Sequence, residues 1–338
     1  MATSDLIDFL IIHNLYNTDA NNIIRKMQTS DSHSEFMTYY ENLIQLLCGP
    51  IDIFTLGGEK RLQKGTLANP EYARKGFHVI RTWAANLAHE KRILKYSNNS
   101  KISHKFMYDG IIKIENFIPN FEKVEEKIQK EFKNFPTVVH KRLDNICYRN
   151  KHQAPNLNEI FQQIVNTPDI ESVLGARVGS PIRNFFKNAL LANTFYQRVY
   201  NTPDDNDNQK NLHIDTFFPA LKFWWFSQDV SENDGAFVYV RKSVDHTTEY
   251  YNWLYEQSIK ICEKNYDNWR LRDHEEGSLR GSEDELSLMK LNAISVEVKK
   301  NTLVLGNVGG FHGRGNTKKP FTRNSIHGSI RLSDPYSF

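Results

Sequence analysis

The sequence predicts a mainly β protein with flanking helices: a double-sheet jelly roll behind an N-terminal helical region. Three observations carry this. Short apolar runs bounded by polar turns crowd the chain from about residue 190 onward. The first hundred residues instead repeat apolar side chains at helical spacing. And 39% hydrophobic with 25% charged residues, over 338 positions, suffices for a sizeable core and excludes wholesale disorder.

In chain order, residues 36–47 place Phe36, Tyr40, Leu43 and Leu47 on one helical face, and Cys48-Gly49-Pro50 stops the helix. Residues 70–96 read as one long helix with Pro70 in its first turn and Phe77, Ile80, Trp83, Ala84 and Leu87 as its apolar stripe. Residues 108–114 read as a strand, 116–120 as a turn, and 122–132 as an amphipathic surface helix carrying Val124, Ile128 and Phe132. Six β-like runs follow: 192–199, 220–226, 236–240, 294–298, 302–305 and 325–332. Residues 247–291 interrupt them as a polar, mixed-charge stretch, expected to be an insertion or lid. The division expected is 1–104, a helical extension packing on the core, and 105–338, the β domain.

Composition narrows the function. Lys plus Arg number 43 against 40 Asp plus Glu, too even for a dedicated nucleic-acid binder. Cys48, Cys147 and Cys262 form no Cys-x-x-Cys pair, which argues against cysteine-based zinc sites, redox dithiols and a disulfide framework. No uncharged apolar stretch is long enough to span a bilayer, and Asp5 and Asp8 stand where a secretory leader would be positive. A cytoplasmic monomer or homodimer acting on a small molecule, without membrane or nucleic acid, is the expectation.

The chemistry begins at His213-Ile214-Asp215. Residues two apart on an extended segment share a face, so one imidazole and one carboxylate project together. His312, within Gly309-Gly310-Phe311-His312-Gly313-Arg314-Gly315, offers a third ligand. Two imidazoles and one carboxylate on one face of an octahedron leave three positions open, the ligand set of non-haem Fe(II) oxygenases. Taken alone His-x-Asp is a weak pattern, since His33-Ser34-Glu35 and His274-Glu275-Glu276 come close to it. A hydrogen-bonded structural histidine reads better at His213 until its context is added. That context is a tight turn and strand over 229–243, a hairpin over 296–306 leading to His312, and Arg323 eleven residues beyond.

These residues resemble the phytanoyl-CoA dioxygenase family of Fe(II)/2-oxoglutarate-dependent oxygenases. His213 and Asp215 match the family's His-x-Asp. Asp229, Glu232, Asn233 and Gly235 match its turn, with Asp234 inserted. His312, Gly313, Gly315 and Asn316 match its distal His segment, and Arg323 its Arg. Residues 109–117 look like its first strand and turn. The resemblance spans roughly 105–335 and says nothing of 1–100. Where the family commonly has Pro-Gly-Ser-His, this chain has Arg241-Lys242-Ser243-Val244.

The resemblance implies a double-stranded β-helix (a cupin-like core) in which His213, Asp215 and His312 hold Fe(II). It further implies that 2-oxoglutarate chelates the metal through its C1 carboxylate and keto oxygen, that Arg323 pairs with its C5 carboxylate, and that dioxygen takes the remaining position. Decarboxylation would then be coupled to hydroxylation of an unactivated C–H in a small or medium-sized metabolite. Asp215 fits a hydroxylase, because halogenases of this class replace the carboxylate with a small residue. Desaturation, cyclisation or epimerisation on the same iron site stays open, and so does a non-catalytic jelly-roll binding protein. Further co-substrate contacts are expected among Trp225, Ser325, Gln197 and Arg198. The substrate rim is expected at Tyr196, Phe217, Arg241 and Arg314, where Lys242, Lys318 and Lys319 add charge that is either merely solvated or attracts an anionic substrate.

Overall fold

The structure is a computed structural model that describes residues 2–50, 69–96, 101–132, 137–142, 145–150, 173, 177–178, 188–203, 207, 209–266, 279–332 and 334–338. Among the described residues six helices come first: α1 (Ala2–Ile12), α2 (Thr18–Thr29), α3 (His33–Cys48), α4 (Pro70–Arg74), α5 (Phe77–Tyr96) and α6 (Lys101–Asp109). Asn17, Ser32 and Asn69 cap α2, α3 and α4 by accepting hydrogen bonds from first-turn amides. The single helix expected over 70–96 is two helices, broken at Lys75-Gly76. Gly76 has φ +78°, and a Cβ there would lie 3.1 Å from Leu15 Cδ1. The positive φ and the close approach both favour glycine at this point.

The strand expected over 108–114 is likewise shorter. Helix α6 runs through Asp109, Gly110 turns with φ +74°, and β1 covers Ile111–Ile114. Then come α7 (Phe121–Phe132), β2 (Thr137–Arg142), β3 (Asn145–Asn150), β4 (Arg177–Val178), β5 (Asn188–Asn201), β6 (His213–Ile214), β7 (Leu221–Phe226) and β8 (Phe237–Val240). The remaining elements are α8 (Thr248–Tyr266), β9 (Leu279–Arg280), α9 (Glu283–Leu288), β10 (Ala293–Val296), β11 (Thr302–Asn307), β12 (His312–Arg314) and β13 (Phe321–Leu332).

Two sheets result. The larger has the order β1-β11-β7-β13-β5-β3-β2 with β4 beside β5, the smaller β10-β8-β12-β6-β9. All pairings are antiparallel except β4 with β5. From β5 to β8 consecutive strands alternate between the sheets, and β10 to β13 do so again. That alternation is a double-stranded β-helix, the closed form of the jelly roll.

Two apolar clusters fill the molecule. One lies inside and runs from Phe217, Trp224, Phe237 and Tyr239 into Ile80 and Trp83 of α5. The other covers the outer face of the large sheet, where Leu221, Phe223, Trp225, Leu303, Ile326 and Ile330 meet Phe117, Phe121 and Val124. Each fully buried Phe or Leu among them contributes about 1.5–3 kcal/mol. Residues 247–291 hold α8 and α9, and α8 buries Tyr250, Tyr251, Trp253, Leu254 and Cys262 beside the N-terminal helices. The segment that reads as polar overall thus has one strongly aromatic face. No helix among the described residues is long and apolar enough to cross a membrane.

Candidate metal centre

His213, Asp215 and His312 come together inside the barrel, each offering a ligand atom within 4.8 Å of the others. Their convergence follows from strand register. His312 of β12 lies directly opposite both His213 of β6 and Tyr239 of β8. Asp215 falls just past β6, where its amide donates to Val308 O at 2.9 Å. The two imidazole rings are 4.6 Å apart, with His213 Nε2 3.9 Å and His312 Nε2 3.5 Å from the two carboxylate oxygens of Asp215.

Both rings are oriented the same way. His213 Nδ1 donates to Asn211 O at 2.8 Å, and His312 Nδ1 donates to Gly310 O at 3.0 Å. A carbonyl only accepts, so each Nδ1 carries a hydrogen and each Nε2, the other ring nitrogen, is turned toward the cluster. Burial, reinforced by the neighbouring His312, pushes the His213 pKa down to about 3, keeping that ring neutral. Burial alone would raise the Asp215 pKa. Lys222 and the two imidazoles outweigh it and hold the carboxyl well below the usual range. Neutral imidazole and ionised carboxylate are the protonation states a metal requires of its ligands.

The surrounding chain fixes these positions. Ser243 Oγ accepts from Phe311 N at 2.9 Å and donates to Val240 O at 2.7 Å, tying the start of β12 to the end of β8. A Cβ at Gly310 would lie 2.5 Å from Tyr239 Oη and 2.7 Å from Ser243 Oγ, so only glycine fits there. Trp224 packs 4.4 Å from Phe237 and stacks on His327 at 5.3 Å, and Phe237 lies 5.9 Å from His312. An aromatic wall therefore borders the triad on the large-sheet side.

The other residues singled out from the sequence are dispersed. Arg323 is buried on β13 and donates from Nη1 to Gly235 O at 2.7 Å, in the 229–235 turn. Ser325 is buried and lies opposite Gln197 of β5, two residues along the same face. Arg198 alternates to the other side and donates from Nε to Asn324 Oδ1. Tyr196 stands opposite Ile326 in register. Trp225 is not at the triad. It belongs to the outer cluster, donating from Nε1 to Asn301 Oδ1 at 3.1 Å and meeting Phe121 edge-on, while Trp224 takes the inner face. Phe217 is not at a rim either, being buried beneath the Arg81 guanidinium 3.9 Å away. Arg314 forms a 2.6 Å ion pair with buried Asp207, and Arg241 is exposed.

One residue at the site escaped the sequence reading. Lys222 of β7 points its ammonium at Asp215 Oδ2 in direct contact. It lies on the inner face with Trp224, opposite Gly306 and Ser329. The signal was present as a lone lysine in the run Leu221-Lys222-Phe223-Trp224-Trp225-Phe226, where alternation puts it with Trp224.

No family model matches the chain, and no curated protein matches it. Among solved structures, it is similar to the epimerase SnoN in complex with Fe3+, alpha ketoglutarate and nogalamycin RO, with TM-score 0.42 and 13% identity over 68% of this chain and 82% of that one. It is similar to HygX from Streptomyces hygroscopicus with nickel and 2-oxoglutarate bound, with TM-score 0.40 and 15% identity over 69% and 87%. It is similar also to EctD from S. alaskensis in its apoform, with TM-score 0.42 and 13% identity over 71% and 80%. At these scores the likenesses assign neither substrate nor reaction to this chain.

Proposed function

We propose that the chain is an Fe(II)/2-oxoglutarate-dependent oxygenase that hydroxylates a C–H bond of a small or medium-sized metabolite. The observation that carries this is the convergence of two imidazoles and one carboxylate with their ligand atoms within 4.8 Å, each imidazole tethered through Nδ1. Such a donor set fits a divalent iron with open positions, and the sequence motifs around it fit the oxygenase family it resembles. His213, Asp215 and His312 would hold the metal. When bound, iron and 2-oxoglutarate together supply the oxidising power for C–H hydroxylation with dioxygen.

The chain's own residues do the rest. The carbonyls of Asn211 and Gly310 fix ring orientation, and such outer partners typically contribute about 10–100-fold in metal affinity or activity. Arg323 would pair with the distal carboxylate of 2-oxoglutarate, for which a planar guanidinium is suited. Trp224, Phe237 and His327 exclude water on one side of the site. The test is succinate formation from 2-oxoglutarate by the purified chain with added Fe(II). Succinate is expected with wild type and absent with His213→Ala, and equal rates from the two would defeat the metal assignment.

A further inference from the structure

We propose that Lys222 anchors an anionic group of the substrate, a carboxylate or a phosphate. The proposal rests on the iron and 2-oxoglutarate reading above and adds the substrate's charge to it. Lys222 is the lysine in direct contact with the triad, and its side chain and that of Asp215 are 19% and 21% exposed, against 7% and 4% for the two imidazoles. Lys222 is thus the cation at the centre whose side chain keeps some solvent access, while Asp215 Oδ2 beneath it is buried.

Charge balance gives the pair its meaning. Without metal, Asp215 and Lys222 cancel. A divalent ion adds two positive charges, and the metal-bound carboxylate of the co-substrate returns one negative charge. One positive charge is left beside the metal in a mostly buried place, where an uncompensated charge is costly. The distal carboxylate of 2-oxoglutarate does not supply the missing anion, because the reading above pairs it with Arg323, which lies further along the same inner face. Its guanidinium bonds to Gly235, which lies beside Gly315. Lys222 instead reaches Asp215, whose amide bonds to Val308. Gly315 and Val308 lie on opposite sides of His312 along the chain. On β13 itself, Arg323 is six residues from Ser329, the register partner of Lys222, about 20 Å of strand. The two cations therefore serve two anions. The expected rim cations contribute less: Arg314 is bound to Asp207, Lys242 sits over the Tyr108 ring at 4.7 Å, and Arg241, Lys318 and Lys319 are exposed.

The experiment is calorimetry on the full chain. Mn(II) is titrated first, and then inorganic phosphate into protein saturated with Mn(II) and N-oxalylglycine, an analogue of 2-oxoglutarate. Wild type is expected to bind phosphate, and Lys222→Gln to lose about tenfold or more in affinity, the worth of one charged hydrogen bond. Lys222→Arg should keep affinity within about threefold, since the charge is retained. A second measurement needs no variant. In metal-free wild type Asp215 occupies the ammonium, so phosphate should bind about tenfold more weakly than to the loaded protein. Equal phosphate affinity in Lys222→Gln, or in metal-free and loaded wild type, overturns the proposal. Mn(II) binding that survives His213→Ala overturns the iron reading beneath it, a result visible in the first titration alone.

Discussion

The two faces of β7 lie one peptide apart and do opposite work. Leu221, Phe223 and Trp225 face outward into a mostly apolar layer closed by Phe117 and Phe121. Lys222 and Trp224 face inward, one onto Asp215 and the other against His327 and Phe237. The outer face has one polar link, Trp225 to Asn301, and Asn301 also accepts from Ile118 N and donates to Ile118 O. On β7, stability and chemistry are separated by strand alternation rather than by distance. Substitutions on one face should register as folding energy and on the other as metal or ligand affinity.

The largest effect expected is on the inner side. His312→Ala should lower Mn(II) affinity by more than the roughly 10–100-fold typical of losing an outer partner, with the far-ultraviolet circular dichroism unchanged. On the outer side, Trp225→Ala should destabilise the chain by about 3–5 kcal/mol in denaturant unfolding. Its succinate formation per folded molecule should stay at the wild-type level, and a selective loss of turnover would break the division between faces. Asn301→Ala should come next, at about 1–3 kcal/mol, because it strands the buried Trp225 and Ile118 donors. Near neutral pH the smallest effect concerns acid, and it grows as the pH falls. Burial holds His89, with help from Arg92, and His246 at about 3, against an ordinary 6.5. The unfolded chain therefore takes up protons first. Stability is complete above pH 6.5 and falls toward pH 3, by up to about 1.4 kcal/mol per pH unit for each ring. Unfolding midpoints for His246→Gln should show a shallower acid slope than wild type.

Much of the fold was legible in the sequence because period-2 runs are local signals. The expected strands over 220–226, 236–240 and 302–305 coincide with β7, β8 and β11 to within two residues at either end. What was not legible depended on tertiary neighbours. The break at Gly76 exists because Leu15 and Phe9 press against it from α1 and its following turn. Which Trp of the pair faces inward is set by the register of β7 on β11 and β13, not by the pair itself. Phe217 sits two residues past Asp215, yet Arg81 of α5 covers it, a contact across more than a hundred residues that no motif announces. In the same way, Lys222 gains its meaning only when the loop after β6 folds back over β7.

The register that sets His213 opposite His312 has a consequence for chain topology. A metal held by both would close a loop of 99 residues, 213 to 312, much as a covalent cross-link would. Helices α8 and α9 lie inside that loop, between β8 and β10, and α8 packs Tyr250 and Trp253 on Phe311, the neighbour of His312. With the ends of the loop pinned, a change in α8 reaches the centre through that aromatic contact rather than through a shift of the strands.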